Sequence, residues 1–128
     1  MLDTDTCVHI LRGNHRVIAQ REATSDDVAT TWITAAELQY GAAKSIAPEQ
    51  NREIVARLLA TMPILGIDDE SARLFGETKA QLEAAGMRLA DADLLIGAIA
   101  VAHGAILVTG NERHFQRIQR LIIENWIR

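Results

Sequence analysis

The chain has 128 residues, 48% of them apolar and 23% charged, with a formal net charge of −4. That length suits one domain with a core of its own, and the balance argues against a disordered chain. The net charge argues against wholesale binding to a polyanion, yet it is uneven: residues 66–93 hold seven acids and three bases, residues 105–128 two acids and four arginines.

Met1-Leu2 reads as the stub of a first strand, shorter than the apolar run of a buried parallel strand, and is expected to lose most of that strand's hydrogen bonds. Thr6 to Leu11 predicts a helical turn that ends at Gly13. Cys7, alone in the chain, cannot form an internal disulfide and reads as a small buried apolar residue, as suits a reducing cytosol. His15 to Ala23 predicts a second short helix, and Val28 to Ile33 a strand. Thr34 opens a helix to about Ser45, and Pro48 opens the next, to about Ala60. Pro63 to Ile67 reads as a strand, after which Asp68 or Asp69 caps a long amphipathic helix that ends before Gly86. Asp91 starts an apolar helix through His103, stopped by Gly104. Ala105 to Val108 is a strand, Arg113 to Arg120 a short helix, and Leu121 to Ile123 a last strand.

Strands that alternate with helices predict an α/β fold: a mainly parallel sheet of about five strands between two helical layers, in a single domain over residues 1–128. No apolar run approaches the ~20 residues of a membrane span, and the acidic start lacks the basic segment of a signal peptide. A cytoplasmic protein without membrane contact is expected.

Three acidic stretches stand where a strand ends or a helix begins: Leu2-Asp3-Thr4-Asp5, Thr34-Ala35-Ala36-Glu37-Leu38 and Asp91-Ala92-Asp93-Leu94-Leu95-Ile96. Each has a plain structural reading. Asp3 and Asp5 suit an Asx turn, Thr34-x-x-Glu37 a capping box, Asp91 an N-cap, and Asp93 the positive end of a helix dipole. Together they suggest more. Parallel α/β sheets bind ligands at the carboxyl ends of their strands, and this order sends Asp3, Glu37 and Asp93 to one such edge. Gathered carboxylates raise one another's pKa, so they usually meet a cation, and an all-oxygen set favours Mg²⁺, with Mn²⁺ as a substitute.

Thr109-Gly110-Asn111 follows a strand and reaches the same edge, where Asn111 could hold a water or make a turn. Thr4, Asp5 and Thr109 are placed to support the acids. Arg113, Arg117 and Arg120 fall at i, i+4 and i+7, which on one helix gives either a solvated face or a phosphate track. Lys44, two turns from Glu37, suits a helix end or a substrate contact. The four histidines, His9, His15, His103 and His114, lack metal-ligand spacing. Trp32 and Trp126 flank strands and read as core or interface residues. With five aromatic residues in all, a base-stacking platform is not expected.

Leu-Asp-Thr-Asp at the start, Glu-Leu-Gln-Tyr-Gly-Ala-Ala-Lys-Ser at 37–45, Asp-Leu-Leu-Ile-Gly-Ala at 93–98, Val-Thr-Gly-Asn at 108–111 followed by Phe115, and Ile-Ile-Glu-Asn-Trp at 122–126 resemble the PIN-domain ribonucleases. More narrowly the chain resembles the VapC toxins of bacterial toxin–antitoxin pairs, over nearly its whole length. The resemblance implies a three-layer α/β/α sandwich that cleaves RNA with Mg²⁺ or Mn²⁺, leaving a 5′-phosphate and a 3′-hydroxyl. By position, Asp3, Glu37 and Asp93 match the invariant acids, and Asp91 a position that is often acidic. The fourth acidic position of the wider family falls at Asn111, and His114 replaces an acid frequent in that turn. The resemblance further implies tRNA as substrate, with the initiator-tRNA anticodon loop as one target, and a VapB-type antitoxin whose basic side chain blocks the acids. A homodimer that joins a larger assembly with the antitoxin is expected, because helices over 15–23 and 52–60 carry more apolar surface than one small sheet covers.

Two other readings share parts of this pattern. A receiver domain has a similar size and an acidic Mg²⁺ pocket, but no Lys follows Val108, since the only lysines are Lys44 and Lys79. A binding module with a dead site is the other, against which the retained carboxylates argue.

Overall fold

The computed structural model describes residues 1–25 and 27–128. The chain runs α1 (Thr4–Leu11), α2 (His15–Ala23), β1 (Thr30–Thr31), α3 (Trp32–Ala43), α4 (Pro48–Leu59), β2 (Ile64–Leu65), α5 (Asp69–Ala84), α6 (Asp91–Ala102), β3 (Ile106–Val108), α7 (Glu112–Phe115) and β4 (Ile122–Glu124). β1 pairs with β2 and β3 with β4, both in parallel.

Met1–Asp3 joins these two ladders. Leu2 bridges Val108 in parallel. The Val108 N–H donates to the Met1 carbonyl at 2.8 Å, and the Asp3 N–H to the Val108 carbonyl at 3.0 Å. On the other side the Leu2 N–H donates to the Ala29 carbonyl at 2.8 Å, and the Leu2 carbonyl accepts the Thr30 hydroxyl at 2.8 Å. The order is β2, β1, Met1–Asp3, β3, β4, which is the five-segment parallel sheet of an α/β sandwich. The short first strand thus keeps bonds to both neighbours, against the expected loss, because a central position supplies partners on two sides.

Alternation across the pleat sorts the core. Leu2 and Val108 join a cluster with Cys7, Val17, Leu38, Val55 and Trp126 under α1–α4. Met1 and Leu107 join Leu82, Leu94, Ile99, Phe115 and Ile118 under α5–α7. Gly13 and Gly104, with φ of 77° and 62°, turn the chain out of α1 and α6 in a conformation that side-chain-bearing residues avoid. Burial pushes the Cys7 thiol up to about 12, which makes it a core residue and a poor nucleophile.

Several elements differ from the sequence reading. β1 spans two residues, and Trp32 and Ile33 belong to α3. The cause is Thr31, whose hydroxyl accepts the Thr34 N–H at 3.0 Å and caps α3 three residues early. Thr34 and Glu37 therefore lie inside the helix and form no capping box. Trp32 is 59% exposed and lies outside the core, whereas Trp126 is buried. The helix over Arg113–Arg120 is also corrected: α7 ends at Phe115. Phe115 and Ile118 are both buried, and Arg120 adopts a left-handed φ of 66°, through which no right-handed helix runs. The last strand runs Ile122–Glu124, one residue further along than Leu121–Ile123.

Candidate active site

The carboxyl ends of Met1–Asp3, β1 and β3 lie side by side, so the residues that follow them share one edge of the sheet. Asp3 ends the first of these segments and is the N-cap of α1: its Oδ1 accepts the Thr6 N–H at 2.8 Å. The residue is 3% exposed, and burial raises its pKa above the usual carboxylate range. Hydrogen bonds from Thr109 and Thr6 oppose that rise, and the nearby Asp5 charge adds to it.

Thr4, on the first turn of α1, reaches across to α3. Its hydroxyl donates to Glu37 Oε1 at 2.6 Å and lies 3.2 Å from the buried Thr34 hydroxyl. Glu37 acts in turn on Asp93, in the first turn of α6. Asp93 has a raised pKa, first through burial and then through repulsion from Glu37, with His114 pulling the other way. His114 Nδ1 is 3.9 Å from Asp93 Oδ2 and 2.8 Å from Asn111 Nδ2. The Asn111 N–H donates to Thr109 Oγ1 at 2.9 Å, and Thr109 closes the circuit at Asp3. At Gly110 a Cβ would stand 2.5 Å from Ile127 Cδ1 and 2.9 Å from Asp5 Oδ2, so any larger residue would push these two side chains aside.

The circuit draws Asp3, Thr4, Glu37, Asp93, Thr109 and Asn111 together, with Asp5 beside Gly110. It does not close them into a cage: among the described residues no three acids, histidines or cysteines are disposed to hold a metal ion. Asp3 is engaged by the α1 backbone, Glu37 by Thr4, and Asp93 feels the Glu37 charge.

Asp91 stands apart. Ala90 is the N-cap of α6 in its place, and Asp91 pairs with Lys79 of α5 at 3.0 Å. Two positions along a helix are about 200° apart, so Asp91 and Asp93 face opposite ways. Lys44 lies 4.7 Å over the Tyr40 ring and lines, with Glu37, a groove of about 360 Å³ between α1, α3 and α4. The arginines share no helical face. Arg113 lies on α7, Arg117 donates to the Arg88 carbonyl at 3.1 Å, and Arg120 lines a small cavity with Glu77 and Thr78 of α5. Thr6 and Thr31 cap or fix the segments that carry the acids and were not singled out from the sequence, and Thr34, expected to cap its helix, instead meets the Thr4 hydroxyl. Their signal is the run of threonines at 4, 6, 30, 31 and 34, polar β-branched residues at otherwise apolar strand ends.

Residues 1–121 match the PIN domain family. The chain is 36% identical to ribonuclease VapC2 of Rickettsia felis and 34% identical to the tRNA(fMet)-specific endonuclease VapC of Salmonella typhimurium, in each case over 98% of this chain and 96% of the relative. The chain belongs to the PIN-domain family, in its VapC branch. The crystal structure of VapBC2 from Rickettsia felis bound to a promoter DNA fragment has the same fold, with a TM-score of 0.92, 36% identity, and coverage of 98% of this chain and 97% of that one. In this PIN domain the neutral Asn111 occupies the corner where Thr109, His114 and the β3 terminus meet.

Proposed function

We propose that this protein, as a single domain over residues 1–128, is the toxin of a VapBC-type pair: an endoribonuclease that hydrolyses RNA phosphodiester bonds with Mg²⁺. The observation that carries the reading is the edge itself. Asp3 and Asp93 are held with raised pKa values beside Glu37, in a chain whose relatives are named ribonucleases.

The donors fit a divalent ion. Burial disfavours Asp3 and Asp93 as anions, with a neighbouring acid adding to it at each, Asp5 and Glu37 respectively; a bound dication relieves both effects, and an all-oxygen set matches Mg²⁺ or Mn²⁺. Asp3 and Asp93 would hold it, with Glu37 beside them. A bound ion supplies an activated water and polarises the phosphate. The chain's own residues do the rest. Thr6 and Thr109 fix Asp3. Thr4 occupies Glu37 Oε1, which leaves Oε2 to orient the attacking water. Cleavage leaves a 5′-phosphate and a 3′-hydroxyl. The relative with tRNA(fMet) in its name supports tRNA as substrate, read at an unpaired loop.

A VapB-type antitoxin is the partner. Val8, Leu11, Leu38, Ile54 and Val55 line an apolar groove that ends at Glu37, so a helix laid there would bring a basic side chain to the acids. The VapBC complex with the same fold supports such a partner, and the proposed assembly further contains a homodimer of this chain.

The test is cleavage of tRNA by the purified protein. Activity should need a divalent ion, vanish with chelator and vanish in Asp93→Asn. Cleavage that persists in chelator would overturn the metal-dependent reading.

A further inference from the structure

His114 and Asn111 meet at the rim of the acidic edge, beside Asp93. We propose that His114 donates its Nε2–H to a non-bridging oxygen of the scissile phosphate, held in that tautomer by Asn111; this rests on the ribonuclease reading above. With Asn111 Nδ2 2.8 Å from Nδ1, the amide donates and Nδ1 accepts, which leaves the ring proton on Nε2. The Asp93 contact, at 3.9 Å, is also to Nδ1 and is too long for a hydrogen bond. Among the described residues Nε2 has no partner.

The ring is well placed for this task. Asn111 is fixed from below by its N–H bond to Thr109 Oγ1 at 2.9 Å, and its carbonyl accepts the Phe115 N–H at 3.3 Å. The buried Phe115, next in sequence, anchors the backbone that carries the imidazole. The His114 side chain remains 47% exposed, against 28% for Asp93, so it stands outside the acid it adjoins. An edge rich in carboxylates repels a phosphodiester, and an oriented N–H donor there offsets charge that grows on the phosphate oxygens as the bond breaks.

The test is steady-state cleavage of total tRNA by the full chain with Mg²⁺. His114→Ala should lower kcat about 10- to 100-fold, the value of one hydrogen bond to a charged group, with KM and melting temperature little changed. His114→Gln should recover most of the loss, because its amide nitrogen reaches the position of Nε2. His114→Asn should not, because its amide reaches only the position of Nδ1. ¹⁵N NMR of the ring should show Nε2 carrying a proton and Nδ1 accepting from Asn111. Wild-type kcat in the alanine variant, equal activity of the Asn and Gln variants, or a ring protonated at Nδ1 would each overturn the proposal. A wild type that cuts no RNA defeats the ribonuclease reading and this proposal together, whereas an active wild type with indifferent His114 variants defeats this proposal alone.

Discussion

Asp3 Oδ1 accepts the N–H that starts α1, while burial raises the pKa of the same group. Asp93 shares the upward shift, through burial and the Glu37 charge. For such groups the folded state binds the proton more tightly than the unfolded one. Their stabilising contribution is full below the ordinary carboxylate value of about 4 and is lost as pH rises through the raised folded values. At neutral pH the metal-free protein therefore holds two carboxylates at a cost. Asp93→Asn should raise its melting temperature by a few degrees at pH 7 in chelator, and the gap should close as pH falls below about 4. Asp3→Asn should behave alike, since Asn is also a good N-cap. Adding Mg²⁺ should raise the melting temperature of the wild type and leave both variants unmoved. Thermal melts followed by circular dichroism, with and without the ion, check all of this; variants less stable than the wild type at pH 7 would contradict it. The positions of Asp3, Glu37 and Asp93 were legible in the sequence because strand ends can be read from apolar runs. Thr4 and Thr109 were legible as supports, but which acid each holds, and the roles of Thr6 and Thr31, were not, because a hydroxyl's partner is chosen by the fold.

Helix starts depend on one side chain. Trp32 and Ile33 favour strands by propensity, yet the Thr31 hydroxyl takes the Thr34 N–H and both residues become helical. Thr31→Ala should cost about 1 kcal/mol or somewhat more, while Thr31→Ser, which keeps the cap, should cost less. Urea unfolding gives the values. The same loss should weaken RNA cleavage, because Glu37 is positioned from that end of α3; an alanine variant of wild-type stability would show that the cap does not hold the helix. Over 113–120 the helical spacing of the arginines was legible but misleading. The helix stops at Phe115, too short to sustain itself, and Arg120 turns left-handed before β4.

Across the whole molecule, RNA and antitoxin would approach the acids from different sides. Arg113 lies next to His114, whereas Arg117 is tied to the Arg88 carbonyl and Arg120 turns toward α5. In an Asp3→Asn background, Arg113→Ala should flatten the salt dependence of RNA binding by about 0.7 in slope, as for one lost single-strand phosphate contact. Arg120→Ala should leave the slope unchanged, and equal effects at both positions would restore a common arginine track. On the groove side, Ile54→Asp places a charge where α4 borders α3. It should weaken antitoxin affinity at least tenfold in titration calorimetry and leave RNA cleavage intact, because Ile54 takes part in none of the hydrogen bonds that hold the acids.

The sequence by itself determined the layered α/β class, the order of the elements and the strand-end placement of the acids. Those follow from local apolar periodicity and from rules of chain connection that hold in any parallel sheet. Only the tertiary structure decided that Asp91 turns to Lys79 while Asp93 turns to Glu37, that Thr4 of one helix holds Glu37 of another, and that the arginines disperse. These outcomes hang on which buried side chains pack together, and such contacts join residues tens of positions apart that no local pattern connects.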